Sequence, residues 1–99
     1  MLNRWDYLKN AADALIPDLR AMPNVPLRLL GVLDRLETRV MIEPMSPLSI
    51  HLTIRAVEEV LNDLRECAHD AEDAQYDVLA DRIYCNARSL RTGLFSYVN

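Results

Sequence analysis

Apolar residues recur along this chain at helical spacing in four stretches, and prolines separate most of them. Trp5, Leu8, Ala12 and Leu15 follow steps of three, four and three, which place them on one face of a helix. Asn3 stands where a cap belongs, with Asp6 three residues on in the capping-box position. Pro17 is expected to end or kink this helix near Ile16, because proline lacks a backbone donor and restricts the residue before it. The stretch from Pro17 to Pro26 holds three prolines and no glycine, and reads as a stiff connector with room for one helical turn.

A second helix is expected to start at an Asn24 cap, with Pro26 in its first turn, where a missing N–H costs nothing. Leu29, Leu33, Leu36 and Val40 form its stripe, and Leu27, Leu30 and Met41 widen it. Pro44 and Pro47 should stop it around Glu43. Ser46-Pro47 is the strongest local start signal, a serine cap followed by proline at the first helical position. Ile50, Ile54, Val57, Leu61, Leu64 and Ala68 then follow steps of four and three in a heptad-like seam. Leu79, Ile83, Ala87, Leu90 and Leu94 form another.

Between these two seams the stretch Cys67–Gln75 lacks large apolar residues, and Asp70 with Asp73 three residues on resembles a helix start. An uninterrupted helix of some 45 residues would run for about 67 Å and demand a partner chain to cover its seam. A break near His69–Asp73 into two antiparallel helices is the favoured reading. Scarcity of glycine supports helices throughout, since Gly31 and Gly93 cannot serve the many tight turns of an all-β domain. The predicted fold is all-α, a small antiparallel bundle of three to four helices forming a single domain over residues 1–99.

Composition narrows the function classes. No run of about twenty apolar residues is present to span a membrane, and the first ten residues carry no apolar core of signal-peptide type. The expected location is therefore cytoplasmic, where Cys67 and Cys85, lacking any CxxC spacing, are expected to be free thiols. A net charge of −4 disfavours direct nucleic-acid binding, which draws its affinity from clustered Lys and Arg. His51 and His69 are the two residues with a near-neutral ordinary pKa, and no nucleophile-elbow or phosphate-loop motif accompanies them. An enzyme is not expected, and no cofactor is implied.

One metal-like step occurs. Glu66 and His69 are spaced as in the E-x-x-H of di-iron carboxylate bundles, but those use the step twice. A metal-binding helical protein built on Glu66 and His69 is therefore an alternative of lower rank. Asp70–Asp81 superficially resembles a calcium loop and is rejected, because Gln75 stands where the sharp turn needs glycine.

Charge segregation is the informative feature. Residues 58–81 carry nine acids against Arg65 alone, whereas residues 82–99 carry three arginines and no acid. Glu59, Asp63, Glu66, Asp70, Asp73, Asp77 and Asp81 recur at steps of three and four, an acidic ridge if the stretch is helical. Like charges at that spacing are mildly unfavourable. Acids at the start of a helix near Asp70 would account for part of it through the macrodipole. The leading functional expectation is a non-enzymatic interaction module, of the small acidic inhibitor, immunity or adaptor type. It would dock a basic partner surface along that ridge, with Tyr76 and Tyr84 as apolar anchors. The second expectation is a homo-oligomer, because Leu27, Leu30 and Met41 and the apolar end Leu94, Phe95, Tyr97 and Val98 exceed what one face of each helix needs.

Overall fold

The computed structural model describes residues 3–99 and contains four helices: α1 (Arg4–Arg20), α2 (Leu27–Val40), α3 (Pro47–Asp73) and α4 (Asp77–Val98). Helix accounts for 82% of the described residues, and no strand occurs among them. Each helix touches two others: α1 and α3 both pack against α2 and α4, so the four close into a ring around one core. Side-chain pairs fix the directions. Arg82 meets Asp18 while Gly93 lies against Leu8, so α4 runs antiparallel to α1. Arg28 reaches Asp70 while Arg35 reaches Asp63, which makes α2 and α3 antiparallel. The 27 residues of α3 span about 40 Å, which sets the 42 Å long axis of the bundle.

The apolar seams are the core. Leu8, Leu15, Leu29, Leu33, Leu36, Leu64, Ile83 and Leu90 are fully buried, and Thr53 is the one buried polar side chain among the described residues. Ile50 and Ile54, in the first turns of α3, are half-buried. Asn3 and Asp6 form the expected capping box, and the Ser46 hydroxyl accepts from the Ser49 amide.

Three boundaries differ from the sequence expectation. Pro17 does not end α1, which continues one turn to Arg20. That turn sacrifices one backbone bond but buries Leu19 and places Arg20 against Asp34 and Glu37 of α2. Asn24 does not cap α2; it adopts a left-handed backbone (φ 65°), which asparagine tolerates, and Pro26 is the cap residue. Helix α2 stops at Val40, three residues short of Glu43, leaving Met41 and Ile42 exposed.

The break between the last two helices falls later than His69–Asp73. Asp70 lies inside α3, and the turn is Ala74–Tyr76. There the Tyr76 amide donates to the Ala71 carbonyl (2.8 Å) and the Gln75 amide to the Glu72 carbonyl (2.9 Å). Gln75 is left-handed (φ 65°), so this is a Schellman cap with glutamine where glycine is usual. No helix is long and apolar enough to cross a membrane among the described residues.

Candidate functional site

The break divides the acidic ridge between two helices. Glu59, Asp63, Glu66, Asp70 and Asp73 lie on α3; Asp77 and Asp81 lie on the first two turns of α4. At 100° per residue, the upper members of the α3 row turn towards α2, and α2 answers them. Arg35 binds Asp63 at 2.6 Å, and Arg28 donates to both Glu66 and Asp70, the latter at 3.2 Å. The seven-residue interval from Arg28 to Arg35 matches two turns of α3 in the antiparallel register. Three ridge residues thus serve the α2–α3 seam. Such exposed pairs add little stability, but they set the register of the two helices.

The rest of the ridge has no such partner. Glu59, Asp73, Asp77 and Asp81 are exposed and pair with no cation among the described residues. Helix-start charges do not account for all of them. Asp77 opens α4 and complements its dipole, whereas Asp70 and Asp73 stand in the last turn of α3, the end where negative charge is unfavourable.

Beside Asp73 the chain makes its tight turn, and Tyr76 emerges 45% exposed between Asp73 and Asp77. Its ring helps to line a cleft of about 250 Å³ under the turn, walled by Pro26, Cys67, Ala71, Ala74 and Leu79, with Arg28 and Asp70 at its polar edge. Burial pushes the Cys67 thiol above its ordinary value, so it behaves as an apolar wall group. Leu27 (86% exposed) and Val78 (70%) stand at this same end of the bundle, at the starts of α2 and α4. The sequence pattern held Tyr76 and its acids; the cleft forms where Asn24 and Pro26 of the α1–α2 connector meet α3 and the α3–α4 turn, which the ridge spacing does not reveal.

Tyr84 is engaged differently. It is half-buried, and its hydroxyl donates to Glu72 and lies 3.1 Å from Nδ1 of His69. The Glu72 carboxylate holding that proton pushes the phenol up to about 12. Tyr84 is therefore committed to the α3–α4 seam rather than free as an anchor. The Glu66–His69 step is also pulled apart, Glu66 turning to Arg28 on α2 and His69 to Tyr84 on α4. Among the described residues no three His, Cys, Asp or Glu side chains gather closely enough to share a metal ion. His51 is exposed on α3 beside Arg55, and Cys85 is exposed on α4.

No protein-family model, curated protein or solved structure matches the chain.

Proposed function

We propose that the protein is a non-catalytic protein–protein interaction module, an inhibitor- or adaptor-type protein whose docking site is the α3–α4 turn. The observation that carries this reading is the apolar cleft beside Tyr76, flanked by the unpaired carboxylates of Asp73 and Asp77. Binding energy in interfaces concentrates in aromatic anchors at desolvated pockets, while surrounding charges govern encounter rate and orientation. Tyr76 and the cleft supply the first, and Asp73, Asp77 and Asp81 the second. The complementary partner presents one large apolar side chain flanked by Lys or Arg. Glu59, Asp63, Glu66 and Asp70 extend the negative field along α3, although the last three are largely neutralised by Arg28 and Arg35. Selection from a displayed random-peptide library tests this. The expected peptides carry an aromatic or aliphatic residue between basic ones, and lose binding to the Tyr76→Ala variant. Enrichment of acidic or charge-neutral peptides, indifferent to Tyr76, would overturn it.

A second reading, self-association, rests on the opposite end of the bundle. Met41, Ile42, Met45, Leu48 and Leu52 occupy the corner between α2 and α3, and each is about half or more exposed. Clustered exposed apolar side chains of this kind mark association surfaces. A second copy meeting the corner about a twofold axis covers it. Sedimentation at tens of micromolar is expected to give a dimer, and Leu48→Glu a monomer of unchanged helix content. A monomer of 11.4 kDa for the unaltered protein would end this reading.

A further inference from the structure

Of the ten arginines of this protein, four are paired across helices and six, Arg4, Arg39 and Arg55 among them, bind no carboxylate among the described residues. Arg20, Arg28, Arg35 and Arg82 each bind a carboxylate of a neighbouring helix. Arg65, Arg88 and Arg91 bind none among the described residues, yet all three line one groove of about 320 Å³ between α3 and α4. His69, Tyr84 and Ala87 complete its lining, and no acid is among the lining residues. In a chain of net charge −4, half of the six unpaired arginines line this one groove. Arg65 and His69 lie on the edge of α3 that faces α4, away from the edge that holds Asp63 and Asp70 against α2. The groove is therefore separate from the Tyr76 cleft.

The histidine in this groove is oriented. Tyr84 has one hydroxyl proton, and it goes to Glu72. The 3.1 Å contact between that hydroxyl and Nδ1 of His69 then requires Nδ1–H to donate to the Tyr84 oxygen. The edge-to-face packing of the two rings, with centroids 5.8 Å apart, holds the imidazole in place. Nε2 has no hydrogen-bond partner among the described residues. The Glu72 carboxylate lies 3.9 Å from Nδ1 of His69 and accepts the Tyr84 hydroxyl.

We propose that this groove binds a dianionic phosphate group. Guanidinium forks match phosphate oxygens two at a time, and the three arginines supply enough donors for a tetrahedral dianion. The ligand is a small phosphorylated molecule or inorganic phosphate rather than an extended nucleic-acid backbone. The basic run is short, and carboxylates close it off: Glu72 and Asp81 towards the α3–α4 turn, and Glu58 two turns before Arg65 on α3. A longer polyanion would meet those acids on leaving the groove.

Titration of the full chain with inorganic phosphate and with phenyl phosphate, followed by nuclear magnetic resonance at constant ionic strength, tests the proposal. Saturable binding with Kd on the order of 1 mM is expected for inorganic phosphate, with shifts at the Arg65, Arg88 and Arg91 side chains and the His69 ring. Tighter binding of phenyl phosphate would assign the site to a phosphorylated organic ligand, and equal binding to free phosphate. The Arg88→Gln/Arg91→Gln variant should weaken binding at least tenfold while its helix content is unchanged. Arg55→Gln, which removes an unpaired arginine outside the groove, should leave binding as it was. Shifts that do not saturate, that matched chloride reproduces, or that Arg55→Gln reduces as much as the double variant would overturn it. Should the double variant fail to fold, Arg65→Gln alone must weaken binding severalfold, or the proposal fails.

Discussion

Replacing Gly93 with valine is expected to lower stability by about 3 kcal/mol, the upper end of the usual cost of overpacking. A Cβ at this position would stand 2.9 Å from the carbonyl oxygen of Tyr7, 3.1 Å from Cβ of Ala11 and 3.3 Å from Cα of Leu8. Two of those neighbours are backbone atoms of α1, which cannot rotate aside, so α1 and α4 must separate. Alanine brings the same Cβ with a smaller side chain and should cost about 1–2 kcal/mol net, despite its better helix propensity. Gly31 provides the control. It sits exposed within α2, and a Cβ there would meet nothing within 4 Å, so Gly31→Ala should stabilise by about 1 kcal/mol. The same substitution is thus expected to have opposite signs at the two glycines. Urea unfolding checks this, and a stabilising Gly93→Ala would show that α1 and α4 do not meet this closely.

Trp5→Ala is expected to cost about 3–5 kcal/mol, the usual range for emptying a buried tryptophan site. Trp5 is 5% exposed and packs edge-on against Tyr97, with ring centroids 5.5 Å apart and planes at 70°. The contact joins the first turn of α1 to the last turn of α4, so its loss loosens both ends of the chain together. Trp5→Phe retains an aromatic edge for Tyr97 and should lose less than half as much. Unfolding midpoints followed by circular dichroism distinguish these outcomes. A loss below about 1 kcal/mol for the alanine variant would mean that the first turn of α1 is not docked in solution.

The core was legible because burial follows helical periodicity. Trp5, Leu8, Ala12 and Leu15 on α1, and Leu29, Leu33, Leu36 and Val40 on α2, are all buried. Ser46-Pro47 marked the start of α3 because hydroxyl capping and a proline at the first position are local effects. Boundaries set by tertiary contact were not legible. Nothing near Pro17 reveals that Asp34 and Glu37, far along the chain, hold Arg20 in one more turn of α1. The end of α3 was hidden because glutamine at position 75, not glycine, takes the left-handed position. The nearby Asp70 then looked like a cap.

The ridge was correct as a spacing and incomplete as a surface. Its steps of three and four carry no information about what faces them, and Arg28 and Arg35 neutralise its upper part only once α2 is laid alongside α3. The basic groove is invisible in the spacing for the same reason. Arg65 is separated from Arg88 and Arg91 by the α3–α4 turn, and only the antiparallel return of α4 brings them together.

The proposed docking role turns on whether the unpaired acids and Tyr76 act together on one partner. The most direct test is the association rate of a library-selected basic peptide, measured across a range of salt concentrations. The unaltered protein should associate roughly tenfold or more slowly at high salt. The Asp73→Asn/Asp77→Asn variant should start from a slower rate and depend less on salt. Tyr76→Ala should leave the association rate nearly intact and raise the dissociation rate. Rates indifferent to salt and to the two aspartates, with dissociation unchanged by Tyr76→Ala, would contradict the assignment of this turn as the docking site.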